Sequence, residues 1–266
     1  MSNFVDPFQP TLSPQGMQTL GLSGTMQKPN KLLLGKVYCY LQISTKTVSP
    51  YPVVPDGTQA IYFSSRGIRI GGAQVQTQDL QLEGGEDYFG IWFYPGAFRH
   101  FFDLNLSEIT GQFVDAQYFN CPQFSNLHFA IYGQETFAAR VKICESWLMK
   151  QFSPRPRAKF EHALHLINQS YGNIRVADLA AEISCSARHL NRHFLEYTGL
   201  NTKSFSQLIR LQQTLKHLHG STTKPLDTLL AFGYYDQAHL IKSFQKYLSA
   251  NPSAFINRFM SDLYNQ

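Results

Sequence analysis

Charged residues are scarce, making up 15% of the 266 residues, well below the roughly one quarter usual in soluble domains. The deficit is filled by aromatics (14%) and neutral polar residues rather than by low-complexity sequence, which excludes global disorder. No run comes near the roughly 18 uncharged apolar residues needed to cross a bilayer, so a membrane-spanning helix is excluded. Cysteine is sparse as well. Cys39, Cys121, Cys144 and Cys185 stand far apart without CxxC spacing, so free thiols are expected rather than a disulfide scaffold or a structural zinc site. The opening Met1–Pro7 lacks the basic start and apolar run of a secretory signal, and a cytoplasmic location is the expectation.

The signatures of common enzymes are missing too. No glycine-rich phosphate loop, nucleophile elbow or HExxH occurs. A metal-dependent β-barrel enzyme needs several histidines and a carboxylate in fixed geometry, and the first half holds only His100 and His128, far apart. A DNA-repair methyltransferase needs an activated cysteine, and Cys121-Pro122 has no adjacent His or Arg. His162 and His165 lie at i, i+3 without a nearby thiol or third histidine and are read as exposed polar residues. No catalytic residue, metal or cofactor is expected.

What is present changes near residue 153. Residues 1–153 carry 10 Lys and Arg against 11 Asp and Glu, whereas residues 154–266 carry 13 against 7, together with seven of the nine histidines. Such asymmetry points to a polyanionic partner for the second half or to a solvated basic face. Fourteen of the 18 glycines and nine of the 13 prolines precede residue 153. Short β-branched and aromatic runs there, Lys36–Ile43, Gln59–Ser64, Asp87–Tyr94 and Phe124–Tyr132, are separated by turn signals such as Pro55-Asp56-Gly57 and Pro95-Gly96. They predict a mainly-β unit, a small barrel or sandwich. Its last segment, Glu135–Phe152, has helical period and could pack on its own sheet or on a second copy of the chain. Ser153-Pro154-Arg155-Pro156-Arg157 cannot continue a helix. The expected organisation is therefore a mainly-β, α+β effector or dimerisation domain over 1–152, a linker over 153–158 and an all-α domain over 159–266.

In the second half Phe160, Leu164 and Ile167 mark one helix, and Val176, Leu179, Ala180 and Ile183 a second. After the break Ser184-Cys185-Ser186, Ser186 is placed to cap a helix over Ala187–Tyr197 that buries Leu190 and Phe194 and stops at Gly199. Two short helices joined by three residues describe a helix-turn-helix. Arg188, His189, Asn191 and Arg192 are left for the surface. Arginine can pair with guanine and asparagine with adenine in the major groove, although an exposed polar face alone would look the same. A second unit follows: a helix over about Leu226–Phe232, then Gly233-Tyr234-Tyr235, then Asp236 as N-cap of a helix that buries Leu240, Phe244 and Tyr247. This helix presents Gln237, Ala238, His239, Ile241 and Lys242. Lys203–His219 lies between the units as a helix of roughly 25 Å, fit to set two recognition helices one DNA turn, roughly 34 Å, apart.

Several of these runs are familiar as a set: Val176-Ala177-Asp178-Leu179-Ala180, Ser186 to Phe194, Thr198-Gly199, Arg210-Leu211, Gly233 to Phe244 and Asn251-Pro252-Ser253-Ala254-Phe255. Residues from about 160 to 259 resemble the DNA-binding domain of the AraC/XylS family of transcription regulators. The resemblance implies that Arg188, Asn191 and Arg192 read bases for the first unit, with Ser186 and His189 beside them. Gln237, Ala238, His239, Ile241 and Lys242 form the matching surface of the second. Departures fall in the second unit: Leu229 where the family has a small residue, Thr228 for an apolar one, Thr214 for alanine, and Ser249-Ala250 without the usual glycine.

The stretch Phe89–Ala97 with Pro55-Asp56-Gly57 resembles an uncharacterised domain fused to such modules. Its aromatics Tyr62, Phe63, Tyr88, Phe89, Trp92, Phe93 and Tyr94 are either core or the lining of an effector pocket. Arg66, Arg69 and Arg99 are read as solvated surface ahead of an anion site. The implied function is a cytoplasmic, bacterial, sequence-specific DNA-binding regulator and not an enzyme. Its partners are operator double-stranded DNA and RNA polymerase, with a small-molecule effector and a homodimer as further possibilities. The alternative is a protein-interaction module whose DNA contact is incidental.

Overall fold

The computed structural model describes residues 6–119, 123–220 and 232–250. Strands β1 (Leu22–Gln27), β2 (Val37–Thr45), β4 (Gln59–Ser64), β5 (Gly67–Gly71), β7 (Asp87–Phe93) and β8 (Phe113–Asp115) form an antiparallel sheet in the order β1-β2-β7-β4-β5-β8. Strands β3 (Ser49–Val53) and β6 (Gln78–Leu82) pair as a separate ribbon. Alternation along the central strands sends Tyr40, Ile61, Phe63, Phe89, Ile91 and Phe93 into one apolar layer, and Cys39, Leu41, Ile43, Ala60 and Trp92 into another with ribbon residues Tyr51, Val53 and Leu82. Both faces of the sheet are covered, which is why Asp87–Phe93 reads as a continuous apolar run instead of an alternating one. Among the described residues β1 and β8 are the sheet's edges, so the sandwich form of the expectation holds and the closed barrel does not.

The short helix α1 (Pro14–Thr19) precedes β1. The expected strand over Phe124–Tyr132 is instead helix α2 (Gln123–Tyr132). Phe124, Leu127 and Ile131 are buried at i, i+3 and i+7, whereas Phe129 is exposed. A segment this dense in apolar side chains hides its period in the sequence. Helix α3 (Phe137–Gln151) buries Val141, Cys144 and Leu148 in the same layer as α2. Its apolar stripe is thus used on its own sheet.

The helical half follows as α4 (Ala158–Gln169), α5 (Val176–Glu182), α6 (Ala187–Thr198), α7 (Thr202–Gly220) and α8 (Gln237–Leu248). The expected first helix of the second unit lies almost wholly outside the described residues, as does Asn251–Phe255. Phe160, Leu164, Phe194, Phe205, Leu211, Leu215, Tyr234 and Phe244 share one core, and Val54 and Ala73 of the β half are part of it. The two halves are therefore packed together and not merely joined by a linker. Gln9 ties Val54 and Asp56. Gln212 of α7 accepts from Phe8 N at 2.8 Å and donates to Pro55 O at 2.7 Å.

Arg99 is a correction to the surface reading. It is 7% exposed and donates to Glu161 of α4, to Gly96 O and to Arg155 O. A buried guanidinium requires such partners, and Glu161 lies 62 positions along the chain, beyond the reach of local pattern. Nearby, His100 Nδ1 accepts from Arg155 N at 3.0 Å, and His100 O accepts from Ser153 N at 2.8 Å. Burial, together with Arg99, Lys36 and Arg155, pushes the His100 pKa down to about 4.

Two outcomes follow from these details. A group whose folded pKa is depressed is neutral in the fold but protonated in the unfolded chain between pH 6.5 and about 4. Stability supported by neutral His100 is thus complete above pH 6.5 and is lost as the pH falls towards 4. Thermal melts from pH 7 to 4.5 should show a smaller loss in His100→Asn, whose amide oxygen can accept from Arg155 N without titrating. Ser249, at the end of α8, sits in the left-handed region with φ 53°. Ser249→Gly should raise the unfolding free energy by about 0.5–1 kcal/mol in urea titrations.

Candidate nucleic-acid interface

The first unit is built from α5, a four-residue connection over residues 183–186, and α6. Ser184 takes a positive φ of 49° to reverse the chain, and Ser186 Oγ accepts from His189 N at 3.2 Å as the N-cap. Leu190 and Phe194 are buried, and Gly199 closes the helix with φ 78°. The cap, core positions and stop all fall where the sequence placed them. Ser186, Arg188 and Arg192 are exposed and His189 is half-buried. Arg192 Nη2 contacts His189 Nδ1 at 3.0 Å. The His189 and His193 rings lie 4.2 Å apart, and His193 is pushed below the ordinary histidine pKa by burial, with help from His189 and Arg192.

Asn191 is placed differently from its neighbours. It is half-buried, and its Oδ1 accepts from the backbone N of Thr202 at 3.1 Å, at the start of α7. Two-bond recognition of adenine uses both amide atoms and would require releasing this bond. The turn it supports joins α6 to α7, a structural task the sequence did not advertise.

The second unit repeats the device. Asp236 Oδ1 accepts from His239 N at 2.7 Å and caps α8. Gln237, Ala238 and Lys242 are exposed, and His239 and Ile241 are half-buried. Leu240, Phe244 and Tyr247 are buried as expected. Helix α7, with 19 residues, spans about 28 Å between the units. From its middle Arg210 donates to Gly172 O at 3.0 Å and to Gly233 O at 3.2 Å. One side chain thereby holds the turn ahead of α5 and the turn ahead of α8. Thr214, in place of an alanine, donates to Arg210 O at 2.9 Å and lies 3.4 Å from the Tyr234 hydroxyl.

Two features of the β half bear on this surface. The 3₁₀ turn Leu106–Ile109 packs on α6. The segment 103–108 faces the helix across an open groove of about 1380 Å³, with Asp103 and Glu108 on one wall and Arg188, His189, Asn191 and Arg192 on the other. Elsewhere, between the sheet and the β3–β6 ribbon, lies a cavity of about 370 Å³ bordered by Tyr51, Tyr62, Leu80, Tyr88 and Phe113. Phe63 and Phe89 also border it, while Trp92, Phe93 and Tyr94 do not. Arg66 and Arg69 lie at this cavity too, and Arg66 pairs with Glu83 at 3.4 Å. Among the described residues no three His, Cys, Asp or Glu side chains converge on a common point, and no helix is long and apolar enough to cross a membrane.

Comparison with known proteins bears on each half separately. Residues 179–258 match the family described as a helix-turn-helix domain, and residues 25–115 match a domain of unknown function (DUF6597). Over 84 residues the chain is 37% identical to the uncharacterized HTH-type transcriptional regulator YidL of Escherichia coli (strain K12), an alignment covering 30% of this chain and 27% of that protein. The match thus spans about a quarter of the relative's length. The structure of ToxT from Vibrio cholerae aligns with 90% of this chain and 99% of its own at a TM-score of 0.47 and 11% identity. Unsaturated fatty acid bound wild-type ToxT, strain SCE256, aligns with 89% of this chain and 99% of its own at 0.42 and 12% identity. Both capped helices, α6 and α8, fall within residues 179–258, the stretch that matches a helix-turn-helix domain of the AraC type.

Proposed function

We propose that the chain is a sequence-specific DNA-binding transcription regulator that inserts α6 and α8 into successive major grooves. The carrying observation is the pair of capped helices, each with a polar face on its first turns, joined by a helix of 19 residues. Arg188 and Arg192 are exposed and suited to guanine O6 and N7. Gln237 and Lys242 are their counterparts on α8, with His239, Ala238 and Ile241 shaping the contact. Ser186 and Asp236 serve as caps whose backbone amides lie near the phosphates. The basic excess of residues 154–266 supplies the salt-sensitive part of the affinity. No catalytic role is assigned to any residue.

The β half, residues 1–152, is the modulating unit in this reading, with 153–158 as the connector and 159–266 as the DNA-binding unit. The cavity between sheet and ribbon is its candidate effector site. RNA polymerase and a second copy of the chain are proposed partners, and the bacterial cytoplasm is the proposed location. The acidic wall formed by Asp103 and Glu108 faces the first probe helix and opposes phosphate approach.

Footprinting on duplexes selected from a random library tests the reading. Two protected major-groove faces one turn apart are expected, and diffuse protection would favour a protein-docking role. Arg192→Ala should cost about 1–3 kcal/mol of preference for the selected site over random DNA, read by competition binding. If that preference is unchanged, Arg192 does not read bases. Asp103→Asn combined with Glu108→Gln should tighten DNA binding by a few-fold at low salt, with the gain fading as salt rises because exposed charges are screened.

A further inference from the structure

Both probe helices end on the β half, and they end on the same piece of it. The Thr110 hydroxyl donates to Gly199 O, just past α6, at 2.6 Å. Gln59 Nε2 reaches Thr198 O at 3.3 Å. Thr77 reaches Tyr247 O in the last turn of α8 with its backbone N at 2.8 Å and its hydroxyl at 3.2 Å. The last carbonyls of a helix have no partner within it, so these bonds satisfy groups that each helix leaves open.

Thr77 and Thr110 stand on two loops welded to one another. Gly111 N donates to Ala73 O at 2.9 Å, and Gly72 N donates to Gln112 O at 3.0 Å. The fit leaves no slack at either end of the weld. A Cβ on Gly72 would lie 2.2 Å from Ile109 O, and one on Gly199 would lie 2.9 Å from Thr110 Oγ1 and 3.0 Å from Leu106 O. Ala73 itself is fully buried in the helical core. Helix α7 and the core it shares with α6 and α8 set the two units side by side. The loops add a second hold, fixing the far ends of α6 and α8 on one rigid body.

We propose that the platform formed by residues 72–77 and 106–112 gauges the spacing between the probe helices, with Thr77 and Thr110 as positioning residues. Its consequence for DNA, a fixed gap between half-sites, rests on the function proposed above, whereas the fixed distance between the helices does not.

The distance is measured first without DNA. Nitroxide labels are placed on full-length protein at Ala187→Cys on α6 and Gln245→Cys on α8, both exposed, with Cys121 and Cys185 changed to serine. Electron–electron resonance should give one narrow distance distribution. Thr110→Val removes the hydroxyl at nearly constant volume, and Thr77→Pro removes the amide donor. Each should broaden the distribution, and together they should at least about double its width, as local tethers give way without global unfolding. Thr110→Ser, which keeps the donor, should remain narrow. Circular dichroism checks folding, and if the double variant unfolds, Thr110→Val alone carries the comparison. A broad distribution in the unaltered protein, or an unchanged one in folded Thr110→Val and Thr77→Pro, overturns the gauge.

Selection of DNA from a random library is the second measurement. The unaltered protein should keep a single gap between half-sites, and the double variant should accept gaps differing by one base pair, about 3.4 Å. Failure to select any sequence would remove the DNA reading while leaving the distance result intact. Retention of the single gap by a variant with a broadened distribution would refute the gauge's role in site choice.

Discussion

Helix α7 has to satisfy three neighbours at once, and the rest of the molecule is arranged around that demand. Phe205, Leu208, Leu211, Leu215 and Leu218 are all buried, facing both helix-turn-helix units in one core. On its other side Gln212, 1% exposed, is bonded to Phe8 and Pro55, and Gly57 approaches Phe205 and Leu208 closely. Truncating a buried leucine costs about 2–5 kcal/mol in such settings. Here the loss would be felt by both units and by the β half, because no layer of α7 belongs to one neighbour alone.

The same economy is visible in the polar groups. Arg210 holds the turn ahead of α5 and the turn ahead of α8 from one position on α7. Arg99 holds the connector and α4 onto the loop after β7 through Arg155 O, Glu161 and Gly96 O. Both guanidiniums are pushed below the ordinary arginine pKa by burial; Arg99 meets three acceptors and Arg210 two backbone carbonyls, the kind of partner a desolvated cation requires. These contacts make the β half part of the framework that positions α6 and α8. Strands β5 and β8, which border the cavity between sheet and ribbon, run directly into the loops bearing Thr77 and Thr110. A change in the cavity and a change at the ends of α6 and α8 are therefore neighbours in the chain as well as in space.

Much of the helical half was legible before any coordinates. Ser186, Asp236 and Gly199 act through bonds to residues within a few positions, and Leu190, Phe194, Leu240 and Phe244 follow a 3.6-residue repeat. Such features are local, so a linear sequence displays them. The strands at Gln59–Ser64 and Asp87–Phe93 were legible for the same reason. Helix α2 was not, because Phe124–Tyr132 is apolar at too many positions for either period to stand out.

The amino-acid sequence by itself determined helices α5, α6 and α8, the caps Ser186 and Asp236, and which side chains α6 and α8 leave for solvent. All of these depend on backbone propensity and short-range repeat. Tertiary structure alone decided that Arg99 is buried against Glu161, that Asn191 turns its carbonyl to Thr202, and that Thr77 and Thr110 close the far ends of α8 and α6. Each of these choices pairs a donor with an acceptor that becomes its neighbour only when two distant segments pack. A burial cost that must be met by a remote partner leaves no mark on the residues alongside it.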